Sequence, residues 1–317
     1  MADVIQSNVE VLVTKNFPNV LDGLTTTADR TNVLKRLYAG TGEDASYITD
    51  ANSDSIYTKL NAHRLRVAND GGVVLSIPNT LRAIIFAIKN GIGATIPAAD
   101  WSAYSPDFGV KFLSVGSAQV TKVYDLSGRD MRISFGNFER SADAGFNVLK
   151  NTVASTMIAE GFFVGGQGMI LGSSLHDADS GSSATQAVKG MYMSDNANSS
   201  GAGVGYLETN QGGTSRLYYK RASDSTMVNI GYDQTTNYKK YSGLVGYMSN
   251  SNNKVEIYEN GLLKTTSTMA QIDLSAVNIY PTISAPALNS LLRESWLIRS
   301  TSQSLAIALS NHLNKSV

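Results

Sequence analysis

The 317-residue sequence contains no cysteine, and only 16% of its residues are charged. Without cysteine the chain can form neither disulfides nor thiolate metal sites, and it offers no thiol nucleophile. This excludes the class of small secreted modules that disulfides hold together.

The sequence also has no excess of charge of either sign, since 26 lysines and arginines balance 26 aspartates and glutamates. Proteins that bind nucleic acid normally present a basic surface that neutralises phosphates. We therefore expect no DNA or RNA partner.

Long hydrophobic segments are missing as well. The chain contains no run of about 18 apolar residues, the length that a membrane-spanning helix requires. Residues 1–7 lack the basic start and the apolar core of a signal peptide. We therefore expect synthesis in a cytoplasm and no insertion into a membrane.

Common catalytic and cofactor motifs are absent from the sequence. Gly201–Gly205 and Gly165–Gly168 lack the glycine spacing of a dinucleotide-binding turn. There is no nucleophile elbow and no phosphate-binding loop, and His63, His176 and His312 do not form a paired zinc motif. The sequence predicts no catalytic residue and no organic cofactor.

What the chain has instead is the composition of strands joined by turns, with 28 glycines and 15 tyrosines. From Trp101 onward, short apolar runs alternate with Gly, Asn, Ser and Thr at the regular spacing of a β-sandwich. The predicted strands cover residues 120–124, 131–135, 156–164, 168–171, 188–193, 205–208, 216–221, 226–232, 244–248, 255–259, 262–266 and 294–298. Leucines spaced four apart predict a final helix over 302–313.

The first 95 residues have mixed patterns, and we predict a small α+β domain there. An alternation at 9–13 predicts a strand, and helical spacing predicts helices at 32–38, 54–60 and 81–89. The turn residues 69–72 predict a hairpin between strands at 64–68 and 73–77. Two glycines and a proline at 91–97 indicate a linker, so we divide the chain into domains 1–95 and 96–317.

Three segments of the second domain resemble a known family. Residues 241–265 (YSGLVGYMSNSNNKVEIYENGLLKT) predict consecutive strands, with a tight turn at Asn260–Gly261. Near the start of the domain stands Tyr124–Gly128 (YDLSG), and near its end Ser295–Ile298 precedes the final helix. Over about residues 101–317 the chain resembles the concanavalin A-like (laminin-G-like) jelly roll of lectins, glucanases and many bacteriophage tail and fibre proteins.

Over residues 101–317 this resemblance implies an antiparallel jelly-roll sandwich with a C-terminal helix. Together with the small N-terminal α+β domain predicted from the residue patterns, this makes a mainly β protein. The resemblance also implies a structural protein of a bacteriophage virion, in the tail, a fibre or a head fibre. Residues 1–95 would then serve attachment and assembly, with other virion proteins and copies of the same chain as partners and a trimer favoured. The jelly roll would bind a host-surface glycan or another virion protein.

Two alternatives remain open, a glycan-cleaving enzyme on the same fold and a cellular lectin-like adhesion module. The enzyme needs two carboxylates on one face of a strand, about 5 Å apart. Glu256 and Glu259 have an odd offset that places them on opposite faces, and we interpret them as solvated charges at an edge. The adhesion module would need a secretion signal. We therefore expect no enzymatic activity.

Two groups of residues are candidates for binding. Tyr232, Tyr238 and Tyr241 lie in a tyrosine-rich region, and a phenol ring combines an apolar face with a hydroxyl that suits a sugar. The ordinary alternative is that these rings pack on the sheet. Asp177 and Asp179 offer two carboxylates in a loop, which suit Ca²⁺ but supply too few of its roughly six to eight oxygen ligands. Ca²⁺ is the one cofactor that the sequence leaves open.

Overall fold

A computed structural model describes residues 20–143, 145–177, 187–195, 203–210, 214–220, 226–233, 241–268, 274, 277–285 and 290–314. The helices in these ranges are α1 (Thr27–Ala39), α2 (Asp50–Asn69), α3 (Ile77–Lys89) and α4 (Gln303–Asn314). None of these helices is long and apolar enough to cross a membrane.

Eighteen strands lie in the described ranges, all of them after the first three helices. They are β1 (Trp101–Tyr104), β2 (Val110–Phe112), β3 (Gln119–Val123), β4 (Met131–Phe135), β5 (Phe138–Asp143), β6 (Phe146–Asn151), β7 (Ser155–Ala159), β8 (Phe163–Val164), β9 (Gly168–Asp177), β10 (Ala187–Ser194), β11 (Gly203–Asn210), β12 (Thr214–Lys220), β13 (Met227–Asp233), β14 (Ser242–Ser249), β15 (Lys254–Glu259), β16 (Leu262–Thr268), β17 (Asn278–Ala285) and β18 (Ser290–Arg299).

The strands pair antiparallel and form two layers. The front sheet has the order β16-β15-β14-β9-β18, and β18 continues to β1 at one end and to β6 at the other. The back sheet has the order β13-β12-β11-β10-β17-β7-β4-β3-β2. Strand β5 pairs with both β6 and β3, so the two sheets join along one edge. This is the mainly β antiparallel sandwich that the sequence predicts.

An inner core fills the space between the two sheets. The front sheet contributes Leu171 and Ile257, and the back sheet contributes Met191, Leu207 and Leu217. Because side chains alternate along a strand, the neighbours of these back-sheet residues point away from the core, to the outer face of the sandwich.

The other face of the front sheet carries an outer core that helices cover. Trp296 and Tyr247 of the sheet pack with Phe86 of α3 and Leu309 of α4. Strands such as β14 are therefore buried along their whole length. The predicted C-terminal helix is confirmed as α4.

Glycine lets α4 lie close to the front sheet. A Cβ atom on Gly243 would lie 2.0 Å from the carbonyl oxygen of Ser310, a distance that no real contact allows. On Gly172 it would lie 2.7 Å from Cδ2 of Leu309. Two strand positions without side chains thus set the distance between the helix and the sheet.

Helices α1 to α3 form a third, helical core around Leu34, Leu60 and Leu81. Their starts follow polar capping residues: the side chain of Thr26 accepts from the backbone of Asp29, and that of Ser76 accepts from Asn79. The predicted helices at 32–38, 54–60 and 81–89 lie within α1, α2 and α3.

The predicted hairpin around residues 69–72 is wrong. Residues 64–68 belong to α2, because Ile56, Leu60 and Val67 continue one buried helical face through this region. Gly71, with a φ of 76°, lies just beyond the end of that helix, where left-handed glycine is common. The strand predicted at 9–13 lies outside the described residues.

The apolar side of α3 is covered by other residues of the same chain. Ile84, Ile85 and Phe86 are all buried, against the other helices or the front sheet. These residues therefore do not need a second subunit to cover them, and the trimer stays a prediction. The loop predicted as a linker closes on itself, with a bridge between Ile92 and Ile96. The division at residue 95 stays a prediction.

Candidate functional site

Three tyrosines lie side by side on the outer face of the back sheet. Tyr192 of β10 is directly opposite Tyr206 of β11, which is directly opposite Tyr218 of β12. The ring centroids are 5.5 Å apart in the first pair and 4.5 Å in the second, with interplanar angles of 32° and 20°. We call these three residues the tyrosine row.

The strand pattern explains why the row faces outward. Along β12, Ser215, Leu217 and Tyr219 are buried, whereas the alternate residues Arg216 and Tyr218 are partly exposed. Pairs of aromatic residues across antiparallel strands stabilise a sheet by about 0.2–1 kcal/mol each. The row therefore has a structural role in addition to any binding role.

Within the described residues, the two end rings of the row each have a single ring neighbour, but Tyr192 is buried, at 2% exposure, whereas Tyr218 is partly exposed. Tyr206 has Tyr192 on one side and Tyr218 on the other. The second face of Tyr218 points towards β13, where Asn229 is the opposite residue. The outward positions of β13 are Met227, Asn229, Gly231 and Asp233, and all are exposed. The outer surface of β13 therefore lies beside the uncovered face of Tyr218, and we call this surface, formed by Tyr218 and the outward residues of β13, the shelf.

Polar groups surround this shelf. Nη1 of Arg216 lies 3.4 Å from Oη of Tyr218, and Arg216 is opposite Glu208 across the strands. Burial raises the pKa of Tyr192 to about 12 and that of Tyr206 well above its usual range. Both hydroxyls are therefore protonated at neutral pH.

The tyrosines predicted from the sequence lie elsewhere. Tyr232 is partly buried against the inner core, with Nζ of Lys264 5.9 Å from its ring centroid. Tyr241 is also partly buried and packs on Phe146, at 6.2 Å between centroids. Tyr238 lies outside the described residues. The structure does not bring Tyr232 and Tyr241 together, and their contact with a sugar stays a prediction.

The two predicted calcium ligands are only partly described. Asp177 lies at the end of β9, with its backbone opposite Ser290, so it belongs to a strand and not to the predicted loop. Asp179 lies outside the described residues. Among the residues that the structure describes, no group of three or more His, Asp or Glu side chains is placed to hold a metal ion. The Ca²⁺ hypothesis stays a prediction.

The two glutamates of β15 lie on opposite faces of the strand, as their odd offset predicts. Oε2 of Glu256 accepts from Nε2 of Gln303 at 2.8 Å and from Oη of Tyr258 at 2.5 Å, on the side of α4. Glu259 forms an ion pair with Lys264 at 3.1 Å. Both carboxylates are almost fully buried, at 1% and 2% exposure. The interpretation as solvated edge charges is wrong, because neighbouring elements cover both.

A further buried carboxylate joins the helices to the front sheet. Oε1 of Glu294 accepts from Nε1 of Trp296 at 2.6 Å and lies 2.8 Å from Nε2 of His312. Nη2 of Arg82, from α3, lies 3.4 Å from its second oxygen. Burial opposes ionisation, but His312, Arg82 and Arg293 outweigh it and hold the pKa of Glu294 at about 2. Because Glu294 is buried and contacts residues of both α3 and α4, its role is to hold these two helices against the front sheet.

Comparisons with known proteins give distant likenesses only. No family model and no curated protein matches this chain. Among solved structures, the binding domain of botulinum neurotoxin serotype D is 12% identical, with a TM-score of 0.48, over 68% of this chain and 51% of that one. A ligand-binding domain of the same serotype in complex with N-acetylneuraminic acid is 11% identical, with a TM-score of 0.46 and the same coverage.

The sialidase of Trypanosoma rangeli, in complex with 2,3-difluorosialic acid, is 13% identical, with a TM-score of 0.45, over 83% of this chain and 39% of that one. The matched regions thus span about half or less of each of these three proteins. Such likenesses assign no family and no function.

Proposed function

We propose that this chain is a non-enzymatic structural protein of a bacteriophage virion, in a tail or fibre, and that its sandwich binds a host-surface glycan at the tyrosine row. The single observation that supports the binding site is the shelf beside Tyr218. An uncovered aromatic face next to exposed polar positions is the arrangement that accepts the apolar face of a sugar ring.

The chemistry of the shelf fits a sugar ring and its hydroxyls. Tyr218 supplies a surface for C–H groups, while Asn229 and Arg216 supply donors and an acceptor for hydroxyls. None of these groups has to titrate for binding to occur.

The proposal excludes glycoside hydrolysis by the candidate pair on β15. That reaction needs two carboxylates flanking the bond, with a separation of about 5 Å in retaining enzymes. Glu256 and Glu259 are buried on opposite faces and already hold partners, so a glycan cannot reach both. The virion part of the proposal is supported by the resemblance of residues 101–317 to phage tail and fibre domains.

A glycan array tests the binding site. We expect the wild-type chain to retain a defined set of glycans and Tyr218→Ala to bind them about tenfold more weakly, a change of about 1.4 kcal/mol. Tyr47→Ala is the matched control, because Tyr47 is also partly exposed but lies among the helices. Equal binding by Tyr218→Ala and the wild type would remove the shelf as the site.

Two further measurements test the other parts of the proposal. Release of oligosaccharides from the bound glycans would show that the chain is an enzyme. Mass spectrometry of purified phage particles should detect the chain as a stoichiometric component, and its absence from intact particles would favour the cellular adhesion module.

A further inference from the structure

A cavity lies on the helical side of the molecule, away from the tyrosine row. It has a volume of ≈ 320 Å³, opens to the surface, and is lined by residues of α2, α3, the loop at 91–97, β1 and the turn after β3. This volume is at the lower end of the range of small-molecule sites, about 300–1,000 Å³.

The walls of the cavity are mainly apolar. Ile84 and Ile88 of α3, Ile92 of the loop, Trp101 of β1 and Leu126 of the turn all line it. Trp101 is held in place by stacking on Trp296, with 5.8 Å between centroids and an angle of 17°. Its Nε1–H is buried and has no hydrogen-bond acceptor among the described residues. A buried donor without an acceptor is rare in a folded protein.

The polar lining of the cavity is cationic or neutral. Arg66 is engaged, since its Nη1 lies 2.8 Å from both carboxylate oxygens of Asp130 and its Nη2 donates to the carbonyl of Asp125 at 2.5 Å. His63 is buried, and its Nε2 contacts the carbonyl oxygen of Phe108 at 2.7 Å, which places the proton on Nε2. Burial lowers the pKa of His63 to about 4, so the ring is neutral at pH 7.

Lys59 is the remaining charged residue of the lining. It is exposed on α2, and its ammonium makes no ion pair within the part of the chain that the structure describes. Among the described residues that line the cavity, none carries a carboxylate. An anion bound beside Lys59 would therefore be attracted by its ammonium group and would not be repelled by a carboxylate of the lining.

We infer that the cavity binds a small amphipathic acid, whose apolar ring or chain lies against Ile88, Trp101 and Leu126 and whose anionic group pairs with Lys59. Apolar walls with one convergent charge are the usual design of a small-molecule site. The site is separate from the tyrosine row, so the two binding events can be measured independently.

The probe is 2-naphthoate, with 2-naphthamide as a neutral compound of the same shape, titrated into the full chain by calorimetry. We expect one molecule of naphthoate per chain and weaker binding of the amide. Lys59→Gln should weaken naphthoate binding about fivefold, the upper end of what an exposed ion pair contributes, and should leave binding of the amide unchanged. Lys35→Gln, an exposed lysine on α1, is the control for general loss of charge.

A second variant tests the location. Ala62 is an exposed residue of α2 that lines the cavity, so Ala62→Trp should fill the opening and abolish binding of both compounds. Ala51→Trp, at another exposed position of α2, controls for the added ring. Circular dichroism and thermal melting should show both variants folded.

Three results would overturn the inference: no binding of naphthoate at millimolar concentration, binding that Ala62→Trp leaves intact, or equal affinity for acid and amide. Glycan binding should be unchanged in Ala62→Trp, which distinguishes a failure here from a failure of the tyrosine row.

Discussion

His63 and Asp107 are buried titratable residues whose pKa values move in opposite directions. Burial lowers the pKa of His63 to about 4 and raises that of Asp107 to about 6. For both side chains the cause is the cost of a charge in a medium of low polarity, which disfavours imidazolium in one case and carboxylate in the other. Asn79 and Asn147 donate to Asp107 and limit the rise of its pKa.

The shift of His63 predicts a loss of stability in acid. An unfolded histidine titrates near pH 6.5, so between about pH 6.5 and 4 the unfolded chain binds more protons and the free energy of unfolding falls as the pH falls. Over that range the loss amounts to roughly 3 kcal/mol. Urea unfolding at pH 7 and pH 4.5 should therefore show a smaller loss in His63→Gln than in the wild type.

Asp107 provides the control for this experiment, because the sign of its contribution is opposite. The folded chain keeps the proton of Asp107 up to about pH 6, whereas the unfolded chain loses it near pH 3.8. Asp107 therefore adds stability as the pH falls through this range. Asp107→Asn should make the loss in acid steeper than in the wild type. Equal slopes for both variants and the wild type would contradict the assigned shifts.

At the scale of elements, the contact between α4 and β14 depends on a glycine. Gly243→Ala would place a Cβ 2.0 Å from the carbonyl oxygen of Ser310. It would also disturb the hydrogen bond from Oγ of Ser310 to the carbonyl of Gly243, at 2.6 Å. We expect a loss of about 1–3 kcal/mol, the usual cost of overpacking. Thermal unfolding measures it as a lower Tm.

Gly161→Ala is the control for this substitution. A Cβ there would meet only the side chain of Arg129, at 3.6 Å, an ordinary contact distance. Its Tm should stay close to that of the wild type. If Gly243→Ala melted at the same temperature as Gly161→Ala, the close approach of α4 would not be a source of stability.

The elements also show what the sequence could predict. The sequence predicts the strands whose apolar residues alternate or form clearly bounded runs, such as β12 and β15. Strand β1 was missed, because it is buried on both faces and its four residues do not alternate. Strand β17 was missed as well, and it contains Pro281, a residue uncommon inside sheets.

The tyrosine row could not be predicted for a related reason. The sequence shows that Tyr192, Tyr206 and Tyr218 occupy strands, but their alignment depends on the register between strands. A slip of one residue would move each ring to the other face. Local crowding of tyrosines instead pointed to Tyr232 and Tyr241, which pack partly inside the molecule.

At the scale of the whole molecule, the N-terminal helices and the sandwich share the outer core. Phe86 of α3 lies 5.3 Å from Trp296 of β18 and 4.3 Å from His312 of α4, between ring centroids. Arg82, on the same helix, contacts the buried carboxylate of Glu294. Removing the helices would uncover an apolar surface and take one cation from that carboxylate.

A chain of residues 98–317 tests whether the division at residue 95 separates two independent domains. Without α3, one side of the outer core is exposed to solvent. We therefore expect this shorter chain to have a lower Tm than the full chain and to bind a dye that reports exposed apolar surface. Breaking a buried pair by removing one partner is strongly destabilising, so Arg82→Met in the full chain should reproduce part of the loss. Arg36→Met, an exposed arginine of α1, serves as its control. If the shorter chain were soluble and kept the Tm of the full chain, the sandwich would be an independent domain as the sequence predicts.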